Sequence, residues 1–318
     1  MVLSLNERKW LYRVTTLLVA VFSVFYFALE AYRHFREVPN FLLGIESIAI
    51  AALSVGLAVL GTGLGALIWR FLLVDSGAFA SWKQVLAIFF IAQFGKYLPG
   101  NVGHHVGRVF MAQEIGIPIS IALSTMLVEA LLGAGIGGCL AVLSLILFVD
   151  GQTLGLNLKL GPVQLGLGVI LLLFMPWLGI GFLNRYLPGL AKRLSGGGAI
   201  TAPRLRTALA VALLFLLCFV VMGLILKLQA QWFFGVIEGS VFELTCLFAV
   251  AWLAGYLVPG APGGLGVREA MMVLLLSPVL GAGAAVGLGV TLRVTTTVGD
   301  AVAFLLGNLM RVTDYERR

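Results

Sequence analysis

Gly95-Lys-Tyr-Leu-Pro-Gly-Asn-Val-Gly-His-His-Val-Gly-Arg108 and Gly255-Tyr-Leu-Val-Pro-Gly-Ala-Pro-Gly-Gly-Leu-Gly-Val-Arg268 are two versions of one loop, 160 residues apart. Superposed without gaps, Gly95/Gly255, Pro99/Pro259, Gly100/Gly260, Gly103/Gly263 and Arg108/Arg268 coincide. Each copy interrupts a long apolar segment. Proline removes a backbone donor and clashes with the preceding turn, and the nearby glycines let the chain turn where a side chain would obstruct. Hydrocarbon cannot satisfy the backbone groups so freed, so water, protein or ligand must. Two broken apolar helices at corresponding places in two halves of a membrane protein point to a transporter-type site.

Composition settles the solvent. The chain is 60% hydrophobic and 11% charged, against about 25% charged in soluble domains. Apolar runs cover Ser47–Trp69, Ile115–Val149, Leu160–Asn184, Thr207–Leu226, Leu244–Val267 and Ala270–Leu292. About 20 apolar residues cross a bilayer as helix. The expectation is a single integral membrane domain over residues 1–318, with internal halves at about 45–150 and 205–310 and a basic linker over 184–206. Val14–Leu29 reads as a retained span rather than a cleaved signal, since no Ala-x-Ala site precedes Glu30. Cys139, Cys218 and Cys246 lie scattered in apolar segments and suggest neither disulfides nor a metal site.

Basic residues set the orientation. Arg8, Lys9 and Arg13, then Arg185, Lys192, Arg193, Arg204 and Arg206, then Arg311, Arg317 and Arg318 form three clusters. Placing all three in the cytoplasm follows the positive-inside bias. Both termini are then cytoplasmic, while Arg33, Arg36, Asp150 and Glu238 fall outside. The net charge of +7 reports topology and anionic lipid, not nucleic acid. Trp82–Leu98 with Gly103–Ile115, and Val241–Val258 with Gly264–Leu276, flank the two loops. If each pair is a re-entrant hairpin, the spans alternate and the hairpins enter from opposite faces. The expected fold is all-α and polytopic, with about 6–8 transmembrane helices and two re-entrant broken-helix hairpins in an inverted repeat.

Each break is followed by a new half-helix, starting near Gly103 and near Gly263. A helix N-terminus presents unpaired N–H groups and partial positive charge, a ready anion site. Arg108 and Arg268 lie about one turn further in, and a guanidinium fork suits phosphate. Gly100, Gly103, Gly260, Gly263 and Gly264 line the two tips. His104 and His105 open the first half-helix and can donate to a phosphate or titrate near neutrality. Their adjacency suits one metal poorly, so neither a metal nor a cofactor is expected. Lys96 and Tyr97 precede the first break; Lys96 either contacts phosphate or snorkels to the interface, as Lys227 does.

Ionisable groups inside the membrane are functional candidates. Glu129 is alone in its apolar segment and is expected to pair with Arg108 or Arg268. Arg293 and Asp300 share a helix face, with Arg293 a third phosphate ligand and Asp300 its counter-charge or a proton carrier. Glu269 either caps the second half-helix or binds a coupling cation. For each of these groups the alternative is a purely structural role in helix packing.

The stretches Gln93–Arg108 and Pro259–Ala270 resemble the two signature segments of a flippase-like family that includes the transmembrane region of lysylphosphatidylglycerol synthase. The resemblance covers nearly the whole chain in length and hydropathy. It implies movement of lipids with charged or glycosylated head groups. The lysylphosphatidylglycerol enzyme adds a soluble aminoacyl-transfer domain, which these residues do not contain, and some relatives are joined to glycosyltransferases that use polyprenyl phosphates. The expectation is therefore a polyprenyl phosphate, or a polyprenyl-phosphate-linked sugar, moved by alternating access across a prokaryotic cytoplasmic membrane. The alternatives are a flippase for phospholipid or aminoacylated phosphatidylglycerol, an intramembrane lipid-modifying enzyme, and an accessory subunit of a glycosyltransferase. A glycosyltransferase or another lipid-modifying enzyme is the expected protein partner. No Gly-x-Ser-x-Gly, His-Glu-x-x-His or Gly-Lys-Ser/Thr motif is present, so no catalytic residue is assigned.

Overall fold

A computed structural model describes residues 44–97, 103–148, 162–197, 200–258 and 264–315, with a few isolated positions before residue 44. Most of Val14–Leu29 lies outside them, as do Pro99, Gly100, Asp150, Pro259, Gly260 and Gly263. All regular elements among the described residues are helices. In chain order they are α1 (Ile45–Asp75), α2 (Trp82–Gln93) with a 3₁₀ extension to Tyr97, α3 (Gly103–Glu114), α4 (Ile119–Leu147), α5 (Pro162–Tyr186), α6 (Pro188–Leu194), α7 (Leu205–Phe234), α8 (Val241–Leu257), α9 (Val267–Leu280) and α10 (Ala282–Tyr315). Segments within α1, α4, α5, α7 and α10 are long and apolar enough to cross a bilayer. The protein is an all-α, polytopic membrane protein.

The element order repeats. A long helix, a short broken pair and a second long helix occur as α1, α2–α3, α4 and again as α7, α8–α9, α10. Both broken pairs begin the same way. Ser81 Oγ accepts from Gln84 N–H, whose side chain accepts from Ser81 N–H; Ser240 and Glu243 do the same. These reciprocal capping boxes satisfy helix-end donors that would otherwise be orphaned. At about 1.5 Å per residue, the 12-residue α2 and α3 are each roughly 18 Å long, well short of the roughly 30 Å hydrocarbon core.

Each broken pair folds back on itself. A Cβ on Gly95 would lie 2.7 Å from the Gly103 carbonyl carbon and 2.8 Å from His104 N, so the two backbones touch. Gly255 meets Gly264 in the equivalent place, with a Cβ on Gly255 3.4 Å from Gly264 Cα. The far ends also return to their starting points. Ala78, before α2, shares a buried cluster with Ala112 and Ile117 at the end of α3. A Cβ on Gly239, before α8, would lie 3.3 Å from Val279 and Leu280 at the end of α9.

Two boundaries differ from the sequence-based expectation. The second half-helix begins at Val267 rather than near Gly263, because Gly264 (φ 71°) and Gly266 (φ 83°) hold left-handed backbone incompatible with helix. Arg268 therefore sits in the first turn, whereas Arg108 lies five residues beyond the start of α3. The apolar run Ala270–Leu292 is two helices, divided at Gly281, whose φ of 84° and ψ of 150° end α9.

The two copies interlock. Ser47, at the start of α1, donates to the Trp232 carbonyl near the end of α7 (3.4 Å), and Asp75, at the end of α1, accepts from Arg204 N–H (3.0 Å) and Thr207 Oγ1 (2.8 Å) at the start of α7. The equivalent helices α1 and α7 thus lie antiparallel. Each broken pair packs on the last long helix of the other copy, α2 on α10 and α8 on α4. Glycines bring these helices close. A Cβ on Gly307 would meet Phe90 at 2.9 Å, one on Gly299 would meet Ala58 at 2.9 Å, and one on Gly137 would meet Trp252 at 3.2 Å. Small residues that permit such approach are what hold helices together in lipid, where no hydrophobic drive exists between them. Buried Ile225, Leu226, Leu247, Met272, Leu276 and Leu288 fill the second copy, and Trp69, Val85, Phe89 and Met126 the first.

Candidate functional site

Helices of both halves line one partly open cavity of about 350 Å³, within the range of small-molecule sites, about 300–1,000 Å³. Its polar wall gathers Lys96, Tyr97, His104, His105, Arg108 and Glu129 from the first copy, and Gly264, Arg268, Arg293 and Asp300 from the second. Its apolar wall carries Ile68, Met126, Phe215, Phe219, Met222 and Phe248. Residues 197 positions apart in sequence, Lys96 and Arg293, thus share one chamber. Gly103 and Glu269 do not line it, while Gly100, Gly260 and Gly263 lie outside the described residues.

Arg108 is locked. Its Nη1 and Nη2 reach the two oxygens of Glu129 at 3.1 and 2.5 Å. Its guanidinium also lies between the rings of Trp69 (4.2 Å) and Phe89 (4.7 Å), and the residue is 3% exposed. Trp69 is held in turn by a hydrogen bond from its Nε1 to Thr125 Oγ1 (3.1 Å). The expected Arg108–Glu129 pair is present. With its two Nη atoms on Glu129, Arg108 braces α3 against α4, while its buried Nε has no hydrogen-bond partner among the described residues.

The second copy reverses this polarity. Arg293 on α10 pairs with Glu269 on α9 at 3.5 Å, so the acid now sits on the broken helix and the arginine on the long one. Glu269 Oε2 also accepts the Gly266 N–H at 2.7 Å. Of the two roles weighed for Glu269, the capping contact is the one the structure shows. Glu269 thus satisfies one backbone donor at the start of α9 and places negative charge there. Arg293 therefore has a carboxylate partner on α9 in addition to sharing its own helix with Asp300.

Asp300 joins the copies. Lys96 Nζ lies 2.6 Å from Asp300 Oδ2, and the Tyr97 hydroxyl donates to the same oxygen at 2.5 Å while lying 3.3 Å from Thr297 Oγ1. Lys96 therefore turns into the cavity and does not snorkel outward. The His104 and His105 ring centroids lie 3.8 Å apart with the planes tilted by 39°, and the Nδ1 of each is buried with no hydrogen-bond partner among the described residues. Lys227, by contrast, binds the Ile237 and Glu238 carbonyls at the end of its helix.

Sequence reasoning missed the aromatic parts. Trp69 and Phe89 read as ordinary members of apolar spans, as did Trp252 and Tyr256, which line the cavity and stack at 4.8 Å and 10°. The four-residue spacing of Trp252 and Tyr256, on one helix face, was the available signal. No group of three or more metal-ligating side chains occurs among the described residues.

Fold and cavity together define a polytopic helical membrane protein whose helices surround a charged central chamber. The profile of the lysylphosphatidylglycerol synthase TM region matches residues 11–303, and the chain belongs to that family. A search of curated proteins found no match.

Proposed function

We propose that this protein translocates a phosphate-bearing lipid across the bilayer by alternating access, and that its cargo is a polyprenyl phosphate or a polyprenyl-phosphate-linked sugar. The observation that carries this reading is the chamber itself. Lys96, Arg268 and Arg293 converge there beside an apolar wall, inside a protein built from membrane spans. Ionisable groups are costly in hydrocarbon and mark substrate pathways. The head group sits against these cations and the tail stays in lipid.

The antiparallel α1 and α7 support an inverted repeat, with halves at about 45–150 and 205–310 joined by the basic segment 184–206. The short helices, and the return of each pair to its own start, support re-entrant hairpins. On this reading Asp75, Arg204, Glu114 and Arg311 face the cytoplasm, and Glu114 does lie 2.6 Å from Arg311. The two copies rock about the α1–α7 contact, exposing the chamber to one leaflet and then the other. The site changes accessibility and not covalent structure, so no catalytic residue is assigned. A glycosyltransferase that makes or consumes the lipid is the fitting partner, in a prokaryotic cytoplasmic membrane.

The test is reconstitution. Vesicles containing undecaprenyl phosphate and purified protein are treated with a membrane-impermeant phosphatase. Translocation makes the whole lipid pool cleavable, whereas protein-free vesicles lose only the outer leaflet's share. Cleavage limited to the outer leaflet in both preparations overturns the reading. Release of modified lipid without phosphatase shows an enzyme instead.

A further inference from the structure

In the chamber, Asp300 already holds the place of an anion. Its Oδ2 receives both the Lys96 ammonium and the Tyr97 hydroxyl, and the residue is 3% exposed. The surrounding elements bring a defined set of charges. The 3₁₀ turn brings Lys96 and Tyr97, α9 brings Arg268 and Glu269, α10 itself brings Arg293, and α3 brings His104 within electrostatic reach of Lys96. The stretches of α1 and α7 lining the chamber contribute no charged side chain, Thr62 and Cys218 being their polar members. Lys96, Arg268 and Arg293 against Glu269 and Asp300 give three positive charges less two negative, a net of +1.

A phosphate monoester carries close to −2 above neutral pH. Bound to Lys96, it brings this cluster from +1 to about −1 and draws the ammonium in contact with Asp300 away, leaving Arg268 within electrostatic reach of the carboxylate. Excess negative charge buried in one cluster is costly, and a carboxylate within it takes up a proton instead. That single proton returns the cluster to zero. The Tyr97 hydroxyl remains beside the carboxyl as a hydrogen-bond partner, and the tie between the first copy's turn and the second copy's α10 is broken at the same moment.

We propose that Asp300 carries one proton across the membrane with each phosphate monoester head group, taking it up as the phosphate draws Lys96 away and releasing it when Lys96 returns. The protein is then a lipid–proton symporter, and the Lys96–Asp300 bridge is the element that couples loading to the rocking of the copies. This inference rests on the lipid-translocation reading above.

The experiment uses full-length protein in vesicles with undecaprenyl phosphate, held at zero voltage, with both sides between pH 7.5 and 8.5. In that range the monoester itself is largely the dianion, its second ionisation lying near pH 6. A transmembrane difference of one pH unit should drive the lipid to the alkaline leaflet by about tenfold, the limit for one proton per lipid. Asp300→Asn should abolish that asymmetry. A second measurement needs no turnover: infrared difference spectra on adding the lipid to purified protein should show a newly protonated carboxyl in wild type and none in Asp300→Asn. Wild-type translocation that ignores the gradient overturns the coupling and leaves the flippase reading intact. So does asymmetry that persists in Asp300→Asn, since the proton then rides on the phosphate, and so does lipid binding without a new carboxyl band. Absence of any translocation or lipid binding by wild type instead removes the reading on which the inference rests.

Discussion

Asp75, the last residue of α1, accepts a hydrogen bond from Thr207 Oγ1 in the first turn of α7 at 2.8 Å. Together with the Ser47–Trp232 contact at the other end, it fixes two equivalent helices in opposite directions. In water such a bond adds about 1 kcal/mol. Here its value lies in pinning register between the two copies, at the contact about which they are proposed to turn.

This arrangement makes a labelling prediction. In a background with Cys139, Cys218 and Cys246 replaced, single cysteines at Gly77 and Arg204 should react with an impermeant maleimide from the cytoplasmic side only. A cysteine at Glu238, beyond the end of α7, should react from the opposite side only. Labelling of Gly77→Cys and Glu238→Cys from the same side is incompatible with α1 and α7 spanning as antiparallel partners.

Arg108→Ala should be severely destabilising. It leaves the Glu129 carboxylate in the chamber without its cation and empties the space between Trp69 and Phe89. Removing one partner of a buried pair costs about 3–5 kcal/mol. Thermal unfolding in detergent should show a large loss for Arg108→Ala and a smaller one for the double variant Arg108→Met/Glu129→Gln, which leaves no orphaned charge. Equal losses would place the energy in shape rather than charge.

The repeated hairpin glycines should respond unequally. In Gly95→Ala the new methyl meets backbone atoms of Gly103 and His104 at 2.7–2.9 Å, and backbone cannot swing aside. In Gly255→Ala the nearest atoms are 3.4 Å away, an ordinary contact. Overpacking typically costs about 1–3 kcal/mol. Unfolding midpoints should therefore fall clearly for Gly95→Ala and little for Gly255→Ala, with Gly56→Ala, which meets nothing within 4 Å, as the control.

Much of this was legible in the two Pro-Gly loops. They announced the broken helices, and the lone charges Glu129 and Asp300 announced a polar interior. What stayed hidden depended on facts local reading cannot hold. The start of α9 shifted because Gly266 adopts a left-handed turn that Glu269 then caps, and glycine alone does not say which sign of φ it will take. Which acid meets which cation was ambiguous, because Lys96 and Arg268 reach Asp300 from other elements while Arg293 shares its helix, and only tertiary packing ranks them. Trp69 and Phe89 went unnoticed because an aromatic ring in an apolar span looks the same whether it faces lipid or an arginine.

Gln229 offers a measure of polar contacts inside this bundle. It is fully buried, donates to Thr295 Oγ1 at 2.7 Å and accepts from Thr291 Oγ1 at 2.9 Å, tying α7 to α10. Gln229→Leu should lower stability by about 1 kcal/mol, the scale of interhelical hydrogen bonds in membranes. Because Gln229 does not line the chamber, phosphatase-monitored translocation should continue at a rate close to wild type.

The glycine contacts of α10 restrict traffic. Gly299 rides on Ala58 and Gly307 on Phe90 so closely that not even one methyl group fits between them, and Gly137 leaves no space against Trp252. A hydrocarbon chain is wider than that. At these levels the seams between α10 and α1, α10 and α2, and α4 and α8 leave no room for a sliding prenyl or acyl tail. Any lipid whose head lies in the chamber must thread its tail through a different gap, so the choice of doorway is made by where this chain has placed its smallest residues.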